Sequence, residues 1–410
     1  MEYLPFDSQW KAQFPTFYRI YNLFESALPG TGHLAWAVTL AIKSCELAGE
    51  SRKLNLNIIA DQADGKSATL RQFQSLPRVH SVRDLTYSSF LRDFAGKYCK
   101  IVGSGFVPRG VRVGEGGEAD VSEALDLLDD HTIIIPDAEA LADRPDSSFH
   151  RIIDLFNPIV EEGFTGKTGD TYNGIYEIGS PEHPISTNLV LAAPPDIQRA
   201  YIRRRTFASR LLPLHYRTLL VEKTDVARRI GHQMLDKEPS LQEEVGRILG
   251  TTTSESTSPE RRKVVTLPRD VQDFTYVLAL KIAQLKALTS ERLGTDTIKR
   301  DAKIALLLTE ANALANLRTE ATIADVTLAL NLVESMSIVK QTRYVDGKQV
   351  TDTFHLGSRA HFLMLMCRAT DVDAIEFLGR FVDVDGNRLY TEDVLERVMK
   401  ELALENGGTR

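Results

Sequence analysis

The apolar run Leu54-Asn55-Leu56-Asn57-Ile58-Ile59 ends in Ala60-Asp61-Gln62-Ala63-Asp64-Gly65-Lys66-Ser67. This spacing follows the pattern G-x-x-x-x-G-K-[ST], a cradle for phosphate between a strand and a helix. Gly65 lets the backbone turn close to an anion, Lys66 reaches toward β/γ oxygens, and Ser67 offers a hydroxyl to Mg²⁺. Ser67-Ala68-Thr69-Leu70-Arg71-Gln72-Phe73 then reads as a helix whose first N–H groups and positive dipole end face the phosphate. Ala60 stands where the pattern has its first glycine, which suits only a position that needs no positive φ. Residues 60–68 are the candidate nucleotide-binding segment. The plainer reading is a strand, a turn and a helix with a chance Gly-Lys-Ser.

Chemistry on a nucleotide held there needs an acid at a neighbouring strand tip and a cation from outside the loop. Ile133-Ile134-Ile135-Pro136-Asp137-Ala138-Glu139 supplies the acids. Asp137 is the candidate for the metal shell, and Glu139 the candidate to polarise the attacking water. Ala138 separates two residues that usually adjoin, so Asp137 alone is the alternative; a solvated acidic turn is the bland one. Arg203-Arg204-Arg205-Thr206-Phe207-Ala208-Ser209-Arg210 follows the strand at 188–193. Arg210 is the candidate finger, delivered to the γ-phosphate of a neighbouring subunit, with Arg203 to Arg205 as a basic surface. Such runs more commonly form a solvated helix face.

Positioning these groups requires a parallel sheet. Short apolar runs alternate with helical patterns from Leu54 onward, the signature of an α/β fold. Strands are expected at 54–59, 78–82, 132–135 and 188–193, and an amphipathic helix at 147–162. Ahead of them, Phe14, Phe17, Tyr18, Tyr21 and Phe24 repeat at three and four, and a second helix crosses Leu34 to Leu47. After about residue 222 the pattern turns helical. Lys223–Leu249 forms one helix, and Pro268–Leu293 places Val271, Phe274, Leu278, Ile282 and Leu285 on one face. Thr297–Leu317 follows, and Thr322-Ile323-Ala324-Asp325 is a capping box opening a helix through Val333. The tail carries a hairpin candidate at Asp346-Gly347 and three short helical patterns.

Composition sets bounds on this reading. The 410 residues allow two to four domains, and the 43% hydrophobic content suits a globular chain with a sizeable core. The net charge of −7 argues against a wholly basic nucleic-acid coat but leaves room for local patches. Cys45, Cys99 and Cys367 lie far apart, which argues against a zinc site or disulfide framework and suits a reducing, cytoplasmic setting. No stretch reaches the ~18 apolar residues of a membrane span.

The order of these parts resembles an AAA+ ATPase, from about residue 33 to 336. The stretches Thr297-Ile298-Lys299-Arg300-Asp301, Ala311-Asn312-Ala313-Leu314-Ala315-Asn316-Leu317-Arg318 and Ala321-Thr322-Ile323-Ala324-Asp325-Val326 look like the lid of MCM and related replicative ATPases. The resemblance implies an α/β protein with a P-loop AAA+ core, a three-layer αβα arrangement about a parallel sheet. An all-helical lid and a small C-terminal α/β domain of winged-helix type would follow. Boundaries fall at 1–53 for a helical lead-in, 54–221 for the nucleotide-binding core, 222–336 for the lid and 337–410 for the tail. ATP and Mg²⁺ are the implied cofactors, held at 60–68, with Ser67 and Asp137 on the metal.

By the same resemblance Arg300 matches the second sensor, a cation that reaches the γ-phosphate when the lid packs down. The first sensor, a polar residue at the tip of the fourth strand, is missing from Leu191-Ala192-Ala193-Pro194-Pro195; Asn188 or Thr187 would have to serve from further back. Related helicases carry a pore hairpin whose tip lysine touches DNA. Gly163-Phe164-Thr165-Gly166-Lys167-Thr168-Gly169-Asp170-Thr171-Tyr172-Asn173-Gly174 matches it, with Lys167 for phosphate contact and Tyr172 for stacking; a flexible exposed loop is the equal alternative. The glycine-rich 103–120 segment, with Arg109 and Arg112, is the candidate second insertion. The region ahead of the loop is too short for the N-terminal DNA-binding barrel of MCM proteins, so a compact viral, plasmid or mobile-element relative fits better. The resemblance implies an oligomeric, ring-forming ATPase, a hexamer in the family manner, acting on DNA in replication as a helicase or translocase with other replication proteins and without a membrane. Two alternatives stay open: an ATP-switched loader or initiator, and an inactive scaffold.

Overall fold

Burial follows the aromatic and aliphatic repeats of the sequence closely. The computed structural model describes residues 8–48, 53–60, 65–82, 100–101, 131–138, 146–160, 166–170, 174–178, 186–194, 205–216, 240–250, 263–289, 298–336, 338–345 and 348–355. In chain order the lead-in comprises α1 (Ser8–Gln13), α2 (Pro15–Ala27) and α3 (Gly32–Ser44). The α/β part comprises β1 (Asn55–Ile59), α4 (Lys66–Arg71), β2 (Val79–Ser81), β3 (Lys100–Ile101), β4 (Thr132–Ile135), α5 (Asp146–Ile159), β5 (Gly166–Asp170), β6 (Gly174–Ile178), β7 (Asn188–Ala193), α6 (Arg205–Ala208) and β8 (Leu211–His215). The rest comprises α7 (Leu241–Gly250), α8 (Arg269–Thr289), α9 (Ile298–Ala315), α10 (Ile323–Ser335), β9 (Ile338–Val345) and β10 (Lys348–His355).

The central sheet has five strands, all parallel, in the order β2-β4-β7-β1-β8. From β1 the chain jumps to the far edge at β2, returns inward through β4 and β7, and then crosses to the other side of β1 as β8. The two directions of travel put the crossover helices on opposite faces, because such crossovers are right-handed. They also make β1 the place where strand order reverses, and ligands of such sheets sit outside the carboxyl ends of the strands there.

β8 is absent from the sequence reading. Pro213 interrupts Leu211-Leu212-Leu214 and argues against a strand, yet it pairs with Asn57. The strand is an edge, where a residue without an N–H is tolerated. Every residue of β1 and β7 is buried, so their polar side chains replace missing backbone partners. Asn55 donates to Val160 O at 2.9 Å and accepts from Leu189 N at 2.9 Å. The Ser44 hydroxyl accepts from Leu54 N at 3.0 Å and from the Asn188 amide at 2.8 Å, tying the end of α3 to the starts of β1 and β7.

The helices form a layer against α3. Trp36, Phe17, Phe14 and Phe24 are fully enclosed, with Phe17 edge-on to Trp36 at 5.3 Å and Phe24 stacked on Phe73 at 5.6 Å. On α8 the buried stripe runs Val271, Thr275, Leu278, Ala279, Ile282 and Lys286. Phe274, expected on that face, is 36% exposed, beside the exposed Val277 and Leu280. At about 100° per residue it lies about 40° from Leu278 and about 80° from Ile282, at the edge of the stripe rather than its centre. The capping box forms as its spacing predicts: the Asp325 carboxylate accepts from Thr322 N at 2.8 Å and is clamped by Arg318. No helix among the described residues is long and apolar enough to cross a membrane.

The chain divides into two compact units, Met1–Met336 and Ser337–Arg410. In the second, β9 and β10 pair antiparallel with Val345 opposite Lys348, so Asp346-Gly347 is a two-residue connection, the length and dipeptide that hairpin turns favour. The three helices expected after it lie outside the described residues, as does the predicted 223–249 helix before Ser240.

Two expectations about stability follow. A Cβ added to Gly32 would lie 2.7 Å from a Tyr21 ring carbon and 2.8 Å from Glu25 Oε1. That Glu25 carboxylate is itself fixed by the Gly30 and Gly32 N–H groups at 2.8 Å. Gly32→Ala should therefore cost about 1–3 kcal/mol, as overpacking does, read as a lower urea midpoint. Burial also lowers His33 and His215 from 6.5 to about 4. The unfolded chain takes up these protons near 6.5 and the folded chain near 4, so stability is full above 6.5 and is lost as pH falls through that window. Urea midpoints should drop between about pH 7 and about pH 5, and drop less in a His33→Gln/His215→Gln variant.

Candidate functional site

The sheet carries polar groups at both ends. At the carboxyl end β1 delivers Ala60, whose N–H donates to Ala193 O at 3.2 Å, the last residue of β7. Gly65 then turns with φ +82° directly before α4, a conformation L residues rarely adopt. Lys66 is buried and its Nζ donates to Ala60 O at 3.2 Å, so the side chain folds back across the loop. The Ser67 hydroxyl donates to Pro136 O at 2.9 Å. That bond places the start of α4 against the tip of β4, one residue from the exposed Asp137. Ala138 N donates to Ala192 O at 2.8 Å and fixes the chain beyond Asp137.

Ala60, Gly65, Lys66, Ser67, Ala68 and Asp137 thus gather at one end of β1, β4 and β7. Asp61, Gln62, Ala63, Asp64 and Glu139 lie outside the described residues. A serine hydroxyl next to a carboxylate is the oxygen donor set that Mg²⁺ takes when phosphates complete its shell. Among the described residues no group of three or more His, Cys, Asp or Glu gathers, and a phosphate-bound Mg²⁺ does not require one.

Neither substitute for the first sensor reaches this end. Asn188 is the first residue of β7, not its tip; it is fully buried and holds Ala41 O and Ser44 of α3. Thr187 donates to His131 O at 2.6 Å at the same, amino-terminal end. The β7 tip is Leu191-Ala192-Ala193, wholly buried and apolar.

Arg210 and Arg300 lie together, and at the other end of the sheet. Leu211 pairs with Asn55 and His215 with Ile59, so Arg210 is level with the start of β1. Five strand residues at ~3.3 Å each put it roughly 16 Å from the loop along the strand direction. Arg300 donates from its guanidinium to Ser209 Oγ at 2.7 Å. Arg210 reaches Asn157 at the end of α5.

A buried ion pair missed in the sequence fixes this corner. Lys286 Nζ lies 2.7 Å from Asp301 Oδ1, and neither side chain has exposed surface. Lys286 also donates to Ser209 O at 2.6 Å. Burial pushes the Lys286 ammonium below its ordinary range, and the Asp301 carboxylate opposes that shift. The only signal available was a lysine at the spacing of the apolar stripe, where chains usually place a snorkelling side chain.

The hairpin segment is a hairpin: β5 and β6 pair antiparallel, with β3 added at Lys100 and Ile101. Lys167 is not at its tip. It sits in the first arm opposite Glu177. Tyr172, Arg109 and Arg112 lie outside the described residues.

Removing one partner of the buried pair leaves the other charge without compensation. Lys286→Met should cost about 3–5 kcal/mol, whereas Lys286→Met with Asp301→Leu should recover much of that loss. Denaturation of the three chains under identical conditions measures both effects.

Comparison of the chain with protein-family models and with curated proteins finds no match to either.

Proposed function

We propose that the chain is an ATP-binding AAA+ protein that works as a ring-forming oligomer on DNA in replication, with hydrolysis at the contacts between copies. The observation that supports this reading is the Ser67–Pro136 bond, which brings the start of α4 against the tip of β4, one residue from Asp137, outside the carboxyl ends of β1 and β4. That is where a strand-order reversal leaves a crevice. Mg²⁺, held by Ser67 and Asp137, would neutralise charge on the β and γ oxygens. Lys66 would swing from Ala60 O onto the same oxygens.

The placement of Arg210 and Arg300 at the far end supports the oligomer. Neither can reach the chain's own loop, so both serve a nucleotide held by another copy, where a fixed cation stabilises transition-state charge. The DNA reading rests on the family resemblance and on the β5–β6 hairpin, and a winged-helix tail is retained as part of the same resemblance. The apolar tip of β7 favours a second reading, in which ATP is a switch for a loader or initiator and turnover is slow.

Titration calorimetry with Mg-ATP tests the site. Lys66→Ala should weaken binding at least tenfold, or about 1.4 kcal/mol. Arg210→Ala should bind as the wild type does yet lose on the order of 10³ in DNA-stimulated turnover, the effect of removing such a finger. Wild-type binding with negligible turnover would select the switch, and no binding at all would leave only the scaffold.

A further inference from the structure

Helix α2 takes its cap from the far end of the unit. Phe14, which precedes it, makes no side-chain cap bond, although a helix start leaves its first N–H groups without intrahelical partners. Asn316 supplies the acceptor: its Oδ1 accepts from Thr16 N at 3.2 Å and from Phe17 N at 3.3 Å. Asn316 is itself buried, and its amide donates to Asn312 O at 2.9 Å. Around it the Arg318 guanidinium lies 5.2 Å over the Phe14 ring, and Gln13 donates to Thr322 Oγ1 at 3.4 Å. The start of α2 is thus seated on the turn between α9 and α10.

That turn is strained. Leu317 has φ +62°, a left-handed conformation that is unfavourable for a residue with a Cβ and that helix ends usually give to glycine. Its side chain is exposed, so its own packing does not hold it there. Such conformations persist where the surroundings over-determine them; here the surroundings are the start of α2 and the Arg318–Asp325 clamp.

The other end of α2 grips both flanks of the phosphate loop. The Glu25 carboxylate accepts from Gly30 N and Gly32 N at the start of α3, each at 2.8 Å. Phe24 stacks on Phe73, just beyond α4, at 5.6 Å. Thr31, between the two glycines, lies 3.7 Å from the Cβ position of Gly65. From Thr16 to Glu25 the helix rises roughly 14 Å, with no glycine or proline to bend it. We infer that α2 is a strut through which Asn316 acts as a positioning residue for the phosphate loop. This deepens the ATP-binding reading above and rests on it. Without the Asn316 acceptor the first turn frays, α2 loses its axial register, and the Glu25 and Phe24 grips shift with it. Linked equilibria are reciprocal, so nucleotide in the loop tightens the Asn316 cap by the same factor.

Calorimetry with Mg-ATP compares wild type, Asn316→Leu, Glu25→Gln and the double variant. Ile282→Val, a substitution of a fully buried residue on α8, controls for lowered stability. Circular dichroism confirms folding in each, and Asn316→Ser, too short to reach α2, replaces the leucine variant should that one not fold. Asn316→Leu should weaken Mg-ATP binding about fivefold or more, while Ile282→Val should bind within about twofold of wild type, since a small core loss leaves the folded site intact. The double variant should bind no more weakly than the weaker single one, because both substitutions cut the same strut. In the wild type, amide exchange at Thr16 and Phe17 should slow about fivefold or more when Mg-ATP saturates the chain. Wild-type binding by Asn316→Leu, an equal loss in Ile282→Val, additive losses in the double variant, or exchange unchanged by Mg-ATP would each overturn the inference and leave the ATPase reading in place. No Mg-ATP binding by the wild type would overturn that reading and this inference with it.

Discussion

Two charges without exposed surface, Lys286 and Asp301, decide how the helical layer meets the sheet. Isolated burial of either would cost several kcal/mol. Each therefore demands the other, and the demand fixes α8 against α9 at one register. Lys286 adds a bond to Ser209 O, and Arg300, next to Asp301, adds one to Ser209 Oγ. Ser209 is thus gripped by both helices immediately before Arg210 and the edge strand. A hydrophobic substitute could pack as tightly, but it would not dictate which turn of α9 faces Ser209. The net stability of such a pair is small; what it supplies here is the placement of residues 209 and 210.

The same economy of polar groups recurs where α3 meets the sheet. Ser44 at the end of α3 meets the amino ends of β1 and β7, which begin with Asn55 and Asn188, where the parallel ladder leaves backbone groups without partners. An unpaired backbone group there would cost about 1–3 kcal/mol. Side chains of the right length satisfy it, and in doing so they lock α3 antiparallel to β1. That orientation brings the start of α3 to the loop end, where Thr31 comes within 3.7 Å of the Cβ position of Gly65.

The parts of the fold legible in the sequence are those in which periodicity and burial coincide. The runs at 132–135 and 188–193 are continuous and apolar, and the structure makes them the buried strands β4 and β7. The Thr322 box and the Asp346-Gly347 turn are local chemistry, decided within a few residues. Positions set by long-range partners stayed hidden. Pro213 disguised β8 because edge status depends on strand order, which the chain alone does not display. Asn188 resembles a strand-tip sensor in its type but is held at the opposite end by Ala41 and Ser44. Arg300 carries a family-like position along its helix, yet its direction is set by Ser209, nearly a hundred residues earlier in the chain.

Separation of the two polar ends of the sheet constrains any chemistry the chain performs. Under the ATPase reading, the groups that hold phosphate and metal lie outside β1 and β4, and the groups that neutralise transition-state charge lie outside the start of β8. Roughly 16 Å of strand divides them. No side-chain motion spans that distance, and the buried Lys286–Asp301 pair opposes sliding the helical layer to close it. Under that reading the described cations Arg210 and Arg300 of one copy stand away from its own loop. The buried, apolar tip of β7 acts in the same direction, since it offers no polar side chain to orient an attacking water. Under the ATPase reading turnover would be a property of the contact between copies, with its rate governed by how well the Ser209–Arg210 corner is held.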